Sequence, residues 1–285
     1  MADIIKKIGR SLIQHGPYNR RVYLMKLDVQ DMPHILPVLE HLAHENQYEK
    51  IMTKVPSACK AVFENQGYLE EAVIPEYFDT HEHAVFMCKY LSPDRRKLTE
   101  HSQIKDILSL ARQYIQHPSK KDLSPSMHIR LCHPEDADKM SQVFKSVFKT
   151  YPFPIFDTEY LATIIKSEQA RYFCIEQDRQ INAIAAAEID SDPKGVEMTD
   201  FATLPECRGQ GLAGILLEKM ERAMVAQGLK TAFSIARALS PAMNIIFASN
   251  GYAFGGTLVN NTNISGRIES MNVWYKPLGS SLDLR

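Results

Sequence analysis

The chain's five cysteines, Cys59, Cys88, Cys132, Cys174 and Cys207, contain no Cys-x-x-Cys pair, are odd in number and lie far apart. That pattern argues against a disulfide framework or a structural zinc site, and makes a reducing cytosol the expected setting. Histidine is absent from everything after His133, although the chain has ten. A histidine base is therefore excluded from the later part. His41 and His44 stand three apart, and His81 and His83 flank Glu82. Neither pair matches H-E-x-x-H or has an obvious third ligand, so these read as surface histidines and no metal is expected. A basic excess is also missing: 33 Lys and Arg face 34 Asp and Glu, a net charge of −1. General nucleic-acid binding and a polybasic membrane surface are disfavoured accordingly. Mostly apolar stretches such as Ile181 to Ile189 reach about half the length of a membrane span. Met1 to Arg21 has no continuous apolar run, so no secretory signal is expected.

What remains is enough to build a core. Of 285 residues 45% are hydrophobic and 24% charged, close to soluble globular averages, and the length suggests about two domains. His117 to Ser126 (HPSKKDLSPS) is linker-like, with two prolines and three serines after a helical-looking stretch from Leu98 to Gln116. It divides the chain into 1–116, a linker at 117–126, and 127–285. The two parts share a pattern at an offset of 184: Phe63-Glu-Asn-Gln-Gly67-Tyr68 matches Phe247-Ala-Ser-Asn-Gly251-Tyr252. The same offset sets strand-like Glu49 to Val55 against Phe233 to Leu239, and Val85 to Leu91 against Glu269 to Tyr275. Each copy reads as strand, short helix with a glycine C-cap, then strand.

The later part has a clear succession. A strand at Met127 to Cys132 precedes a helix opened by Pro134-Glu135-Asp136 and ending near Phe148. An aromatic loop from Tyr151 to Phe156 leads to a second helix, Thr158 to Ser167. Strands follow at Arg171 to Gln177, Gln180 to Ile189 and Val196 to Thr203. Gly211 to Gln227 is an amphipathic helix. Strand, helix and two strands complete the order β-α-α-β-β-β-α-β-α-β-β. The expected class is α+β, a mixed sheet with flanking helices, preceded by a smaller α/β domain resembling a partial copy of the same fold.

Pro205-Glu-Cys-Arg208-Gly209-Gln210-Gly211-Leu212-Ala213-Gly214 joins a strand to the amphipathic helix. Glycines there admit a ligand close to the backbone, and the free N–H groups of a first helical turn suit a phosphate. The spacing is neither a P-loop nor a Rossmann fingerprint. A glycine-rich turn with no ligand stays open at this point. In context, Arg208-x-x-Gly211-x-Ala213 resembles motif A of the GNAT N-acetyltransferases, and the likeness extends from Met127 to Lys276. It implies acetyl-CoA across a splayed strand pair, with its pyrophosphate on the N–H groups from Gly209 to Gly214, beside Arg208, Gln210, Leu212 and Ala213. Ala202, Thr203 and Leu204 would bond the pantetheine and polarise the thioester carbonyl.

A narrower family is resembled along the whole chain. Gly16-Pro-Tyr-Asn19-Arg-Arg21-Val-Tyr-Leu-Met-Lys26, Lys50 to Pro56, Phe86 to Tyr90, Leu258 to Thr262 and Glu269 to Lys276 are similar to β-lysine N6-acetyltransferases. That likeness implies acetylation of the ε-amine of β-lysine, giving a zwitterionic compatible solute for osmotic adaptation in the cytoplasm. The first domain lacks a counterpart of Arg208 to Gly214, so no CoA is expected there. Covering the substrate side, a homodimer contact and structural support are its open roles.

An amine with a pKa near 10.4 is neutral in about one molecule in 2,500 at pH 7, so a base is wanted. Glu197, on the strand before the glycine loop and near where family members carry a base glutamate, is the first choice, and Asp200 the second. Strand alternation sends these two to opposite faces. The family's acid is a tyrosine four residues before the helix-ending glycine; here that position is Phe247, leaving Tyr252 or unassisted thiolate departure. For the substrate, Arg237 is a carboxylate partner by bidentate bonding. Asn260, Asn261 and Asn272 are amide contacts, and Tyr151, Phe153 and Phe156 are walls for the methylene chain. Ordinary packing and turn roles compete for each. The rival functions are acetylation of another small amine, acetylation of a protein lysine or N-terminus, and non-catalytic acetyl-CoA sensing.

Overall fold

The computed structural model of the chain describes residues 3–79, 81–115, 122–190 and 194–279. The first half runs β1 (Ile4–Ile8), β2 (Ser11–Gly16), β3 (Arg21–Lys26), α1 (Ile35–Glu45), β4 (Lys50–Pro56), α2 (Lys60–Glu64), β5 (Leu69–Asp79) and β6 (Glu82–Tyr90). Two helices follow, α3 (Pro93–Arg96) and α4 (His101–Ile115). The second half is β7 (His128–Leu131), α5 (Ala137–Val147), α6 (Thr158–Lys166), β8 (Ala170–Gln177), β9 (Gln180–Asp190) and β10 (Gly195–Thr203). It ends with α7 (Leu212–Ala226), β11 (Thr231–Arg237), α8 (Pro241–Ser249), β12 (Ala253–Ile264) and β13 (Arg267–Pro277). This is the order read from the sequence for the second half. Of the linker-like segment, 117–121 lie outside the described residues, and 122–126 form neither helix nor strand.

Among the described residues thirteen strands form one sheet, in the order β1-β2-β3-β4-β6-β5-β12-β13-β11-β10-β9-β8-β7. The strands of each half therefore stay together, and β5 joins β12 where the halves meet. The two halves share their connectivity. In each, two antiparallel turns lead to a strand that crosses over a helix to a parallel neighbour, β3 to β4 and β10 to β11. The repeat at offset 184 is also one of register. Lys50 pairs with Tyr90 and Ser234 with Trp274; Thr53 pairs with Met87 and Arg237 with Met271.

The joint between the halves falls on a residue and its own counterpart, because Ala72 pairs with Gly256 antiparallel. Self-pairing of equivalent positions is what a twofold relation requires. Gly256 has φ +143, and a Cβ there would meet the Glu71 carbonyl oxygen at 2.1 Å. Only glycine lets β5 come this close. A bulge in β12 between Leu258 and Thr262 then turns three successive carbonyls to the first half. Those of Val259, Asn260 and Asn261 accept hydrogen bonds from Lys50 (2.7 Å), Arg95 (2.6 Å) and Arg21 (2.7 Å).

Strand alternation decides what each side of the sheet carries. On β3, Val22 and Leu24 pack with Ile35 and Leu39 of α1, whereas Arg21, Tyr23 and Met25 face the other way, into a cavity. On β4, Ile51 and Val55 join the α1 core, while Met52 and Lys54 face the cavity. The helix expected to close the first domain behaves differently: α4 lies along α8, and its Ala111 is buried in the core of the second half. All five cysteines are free thiols. Among the described residues no helix is long and apolar enough to cross a membrane.

Candidate active site

Parallel pairing of β10 with β11 runs from Gly195 opposite Thr231 to Glu197 opposite Phe233 and stops there. Both strands continue, β10 to Thr203 and β11 to Arg237, so they diverge beyond Glu197. Past the divergence, Pro205 to Cys207 form a single 3-10 turn, and Gly209 and Gly211 adopt φ +79 and +80. Gly211 is the N-cap of α7, and no side chain caps that first turn. The leading N–H groups of a fifteen-residue helix are thus left for an anion. A Cβ on Gly209 would meet nothing within 4 Å, so the loop backbone is open to an approaching group. Ala202 and Thr203 end β10, and Leu204 opens the turn that leads to this loop.

A cavity of 410 Å³ lies beside the divergence, and residues of both halves line it. Arg21, Tyr23, Lys54 and Tyr77 come from the first half; Glu188, Glu197, Asp200 and Phe233 from the second. The sequence reading had named no residue of the first half as a site residue, because which strand edges meet depends on long-range pairing.

Glu197 and Asp200 were expected on opposite faces, and both line the cavity. The reason is a bulge between Thr199 and Ala202, with Asp200 at φ +55. An added residue resets the alternation and re-aims the side chain. Asp200 accepts hydrogen bonds from the hydroxyls of Tyr151 (2.6 Å) and Tyr172 (2.8 Å), one on each oxygen. Burial pushes its carboxyl up, and those hydroxyls pull it back towards the charged form. Glu197 makes no ion pair among the described residues and lies directly across the ladder from Glu188. Burial raises Glu197 to about 7, with Lys54 opposing and Asp200 adding to the rise. Glu188 is held well above the usual range by burial, then by Glu197 and Asp200. Glu188 was in the strand expected from sequence, but its register against Glu197 was not legible there.

The other charged groups in the cavity are mostly matched. Asp190 meets Lys26 at 3.2 Å and Lys54 at 3.5 Å, and Tyr77 donates to it. Lys54 also stands 5.0 Å from the ring centres of Tyr77 and Phe233.

Several sequence-predicted contacts lie elsewhere or are already engaged. Arg237 reaches the cavity wall, but its guanidinium is bound by both oxygens of Glu269, at 2.8 and 2.9 Å. It has its carboxylate within the protein. Asn260 donates to the carbonyls of Arg95 and Lys97 and so ties down α3. Asn272 is buried between Asn244 and Thr257, away from the cavity lining. Phe156 packs on the core of the second half instead of lining the cavity. Tyr252 is 2% exposed, with its hydroxyl enclosed near Glu221 and not among the cavity walls. Asn261, Tyr151 and Phe153 do line the cavity, and the Phe247 ring closes one side of it. Tyr151 contributes a hydroxyl bond to Asp200 as well as an apolar wall.

A mixed sheet diverging after a bulged strand, with an uncapped glycine turn opening the next helix, defines an acetyl-CoA-dependent N-acetyltransferase. The Acetyltransferase (GNAT) family matches residues 139–245. A β-lysine N6-acetyltransferase of Methanococcus maripaludis is 36% identical over 95% of this chain and 98% of its own length. The N-acetyltransferase YodP of Bacillus subtilis is 32% identical over 98% of this chain and all of its own. A second β-lysine N6-acetyltransferase, from Methanosarcina mazei, is 28% identical over 86% of this chain and 97% of its own. The chain belongs to the GNAT acetyltransferase family.

Proposed function

We propose that the chain transfers an acetyl group from acetyl-CoA to the ε-amine of β-lysine, giving N6-acetyl-β-lysine. The observation that carries this reading is the cavity itself: 410 Å³, walled on one side by the first half, and lined by Glu188, Glu197 and Asp200 beside the strand divergence. A pocket lined by both acidic and basic side chains suits a small amino acid that carries amines and a carboxylate, whereas a protein lysine wants a long groove. Resemblance to two enzymes named for β-lysine supports the particular amine.

Residues Arg208 to Gly214 would hold the pyrophosphate, and Ala202 to Leu204 the pantetheine arm. Acetyl-CoA supplies an electrophilic thioester carbon. The ε-ammonium first loses one proton to solvent; Glu197, with its carboxyl raised to about 7, is matched to receive the second as the amine nitrogen bonds that carbon and the carbon–sulfur bond breaks. Asp200, held by two tyrosines, attracts the ammonium without being free to move. Tyr151 and Phe153 bound the methylene chain. Phe247 has no proton to give, so the sulfur leaves as thiolate. β-Lysine carries two ammonium groups and one carboxylate; acetylation of one amine yields a neutral zwitterion, the property wanted in a compatible solute. A cytoplasmic, osmotic role and a homodimer belong to the same proposal.

The test is CoA-thiol release by the purified chain with β-lysine, α-lysine, a polyamine and a lysine peptide. Selective turnover of β-lysine, with the product acetylated at N6 by NMR, is expected. Tight acetyl-CoA binding without turnover of any amine would sink the proposal and favour a sensor.

A further inference from the structure

Three cations of the first half reach the bulge carbonyls of β12, and their other partners differ. Lys50 also binds Glu71 at 2.9 Å, and Arg95 binds Glu49 at 2.9 Å. Arg21 has no carboxylate partner among the described residues; its bonds go to the Asn261 carbonyl, the Thr262 hydroxyl and the Gln14 amide oxygen. Its Nε is buried without a partner. The residue is 4% exposed and lines the cavity, which neither Lys50 nor Arg95 does. The other cavity cations, Lys26, Lys54 and Arg237, each have a carboxylate.

A buried guanidinium held only by neutral acceptors is costly unless an anion completes it. Burial accordingly pulls Arg21 down to about 10. Beside it, the side-chain oxygen of Asn261 is also buried and unpartnered. At the opposite sign, Glu188 and Glu197 face the cavity with no cation in ion-pair range among the described residues. Asp200 likewise has only hydroxyl partners, so the cavity groups without an ion pair among the described residues are one cation and three acids.

We infer that Arg21 is the receptor for the substrate's carboxylate, and that the first half of the chain thereby selects an amino acid over a plain polyamine. The Asn261 oxygen accepts from the amine next to that carboxylate, and the distant amine reaches Glu197. This assignment rests on the proposed reaction and adds its specificity: the half without a glycine loop supplies the group that tells β-lysine from a diamine. A planar fork matches a carboxylate in a way that a lysine does not.

The decisive comparison uses the whole chain with β-lysine, β-lysine amide and 1,4-diaminopentane, which keep both amines and lose the negative charge. On the wild-type chain kcat/KM should fall about 100-fold from acid to amide, the size of a lost charge-assisted bidentate pair. Arg21→Gln should lower kcat/KM for the acid by at least the same factor and collapse the acid-to-amide ratio from about 100 to about 1. Should that variant not fold, Arg21→Lys, which keeps a cation without the fork, is read the same way. Equal wild-type turnover of acid and amide overturns the Arg21 assignment and leaves the β-lysine reading standing. If α-lysine or ornithine is the substrate instead, with the same acid-to-amide ratio, the β-lysine reading fails and the assignment stands. Turnover only of amines lacking a carboxylate overturns both.

Discussion

The two halves of the sheet have the same connectivity and different equipment. In the first, β3 and β4 stay paired from Arg21 opposite Lys50 to Leu24 opposite Thr53, and the connection to α1 contains no glycine. In the second, β10 and β11 part after Glu197, and the connection to α7 carries Gly209 and Gly211 at positive φ. A closed strand pair offers no entry for a ligand arm, and a loop without left-handed glycines does not bring backbone N–H groups to a phosphate. What the first half retains is a cavity-facing row, Arg21 and Tyr23 on β3 and Met52 and Lys54 on β4. Its place beside the second half turns that row into a wall of the other half's site. On the proposed reaction, a repeat that lacks the glycine loop still shapes specificity.

The largest effect expected on this division of labour is at Glu197. Glu197→Gln should lower kcat about a thousandfold, within the range for a lost general base. In the wild type the acting form is the carboxylate, so kcat rises as pH passes upward through about 7; that limb should vanish from the variant's profile. Stability moves oppositely. The folded-state pKa lies above the ordinary 4.5, so the native chain binds the extra proton between these values and loses stability as pH rises through them. Thermal melts should therefore show the variant gaining on the wild type from pH 5 to pH 8. A flat difference would mean that the surroundings of the half-buried Glu197 do not raise its carboxyl.

The next effect strikes the joint. Gly256→Val puts a branched side chain against the Glu71 carbonyl and the Ala72 Cα, which are backbone atoms and cannot rotate away. A loss of about 3 kcal/mol is expected in urea unfolding, at the upper end for overpacking. Gly67→Ala is the control, since a Cβ there meets nothing within 4 Å and only its φ of +80 is strained. Equal losses at the two sites would show that conformation, and not the approach of β5 to β12, makes Gly256 necessary.

Legibility followed the range of the interactions. The order of elements from β7 to β13 and the glycine turn at Arg208 to Gly214 are local, set by periodicity and by φ preferences, and they could be read residue by residue. The bulge at Asp200 could not: Thr199-Asp200-Phe201 is an ordinary strand string, and only the pairing with β9 shows the extra residue. Glu188 needed the same register to be set against Glu197. Arg237 was a reasonable choice for a carboxylate, but the nearest carboxylate in space, Glu269, is thirty-two residues on in sequence and opposite in the fold. Arg21 had one usable signal, an arginine opening a strand that continues Val-Tyr-Leu-Met. Its meaning depended on a bulge 240 residues away.

The smallest expected effect separates a catalytic tyrosine from a packed one, and the repeat supplies the comparison. Tyr252 meets Phe247 with ring centres 5.1 Å apart, and Tyr68 meets Phe63 at the same 5.1 Å. Each tyrosine N–H donates to the phenylalanine carbonyl at 3.1 Å after a glycine of φ +82 or +80. A lysine ammonium stands 5.7 Å from each ring, Lys276 over Tyr252 and Lys89 over Tyr68. Both hydroxyls are buried, and that of Tyr252 lies against the Glu221 carboxyl, which has no equivalent at Tyr68. The same construction therefore occurs in the half that has no cofactor loop, where no leaving thiolate awaits a proton. On the proposed reaction, Tyr252 and Tyr68 close a helix end and take no part in the chemistry. Tyr252→Phe and Tyr68→Phe should each leave kcat within about twofold across pH 6 to 9, since neither side chain lines the cavity. A tenfold fall confined to Tyr252→Phe, steepest at high pH, would instead make that hydroxyl the missing acid and break the equivalence of the two halves at this position.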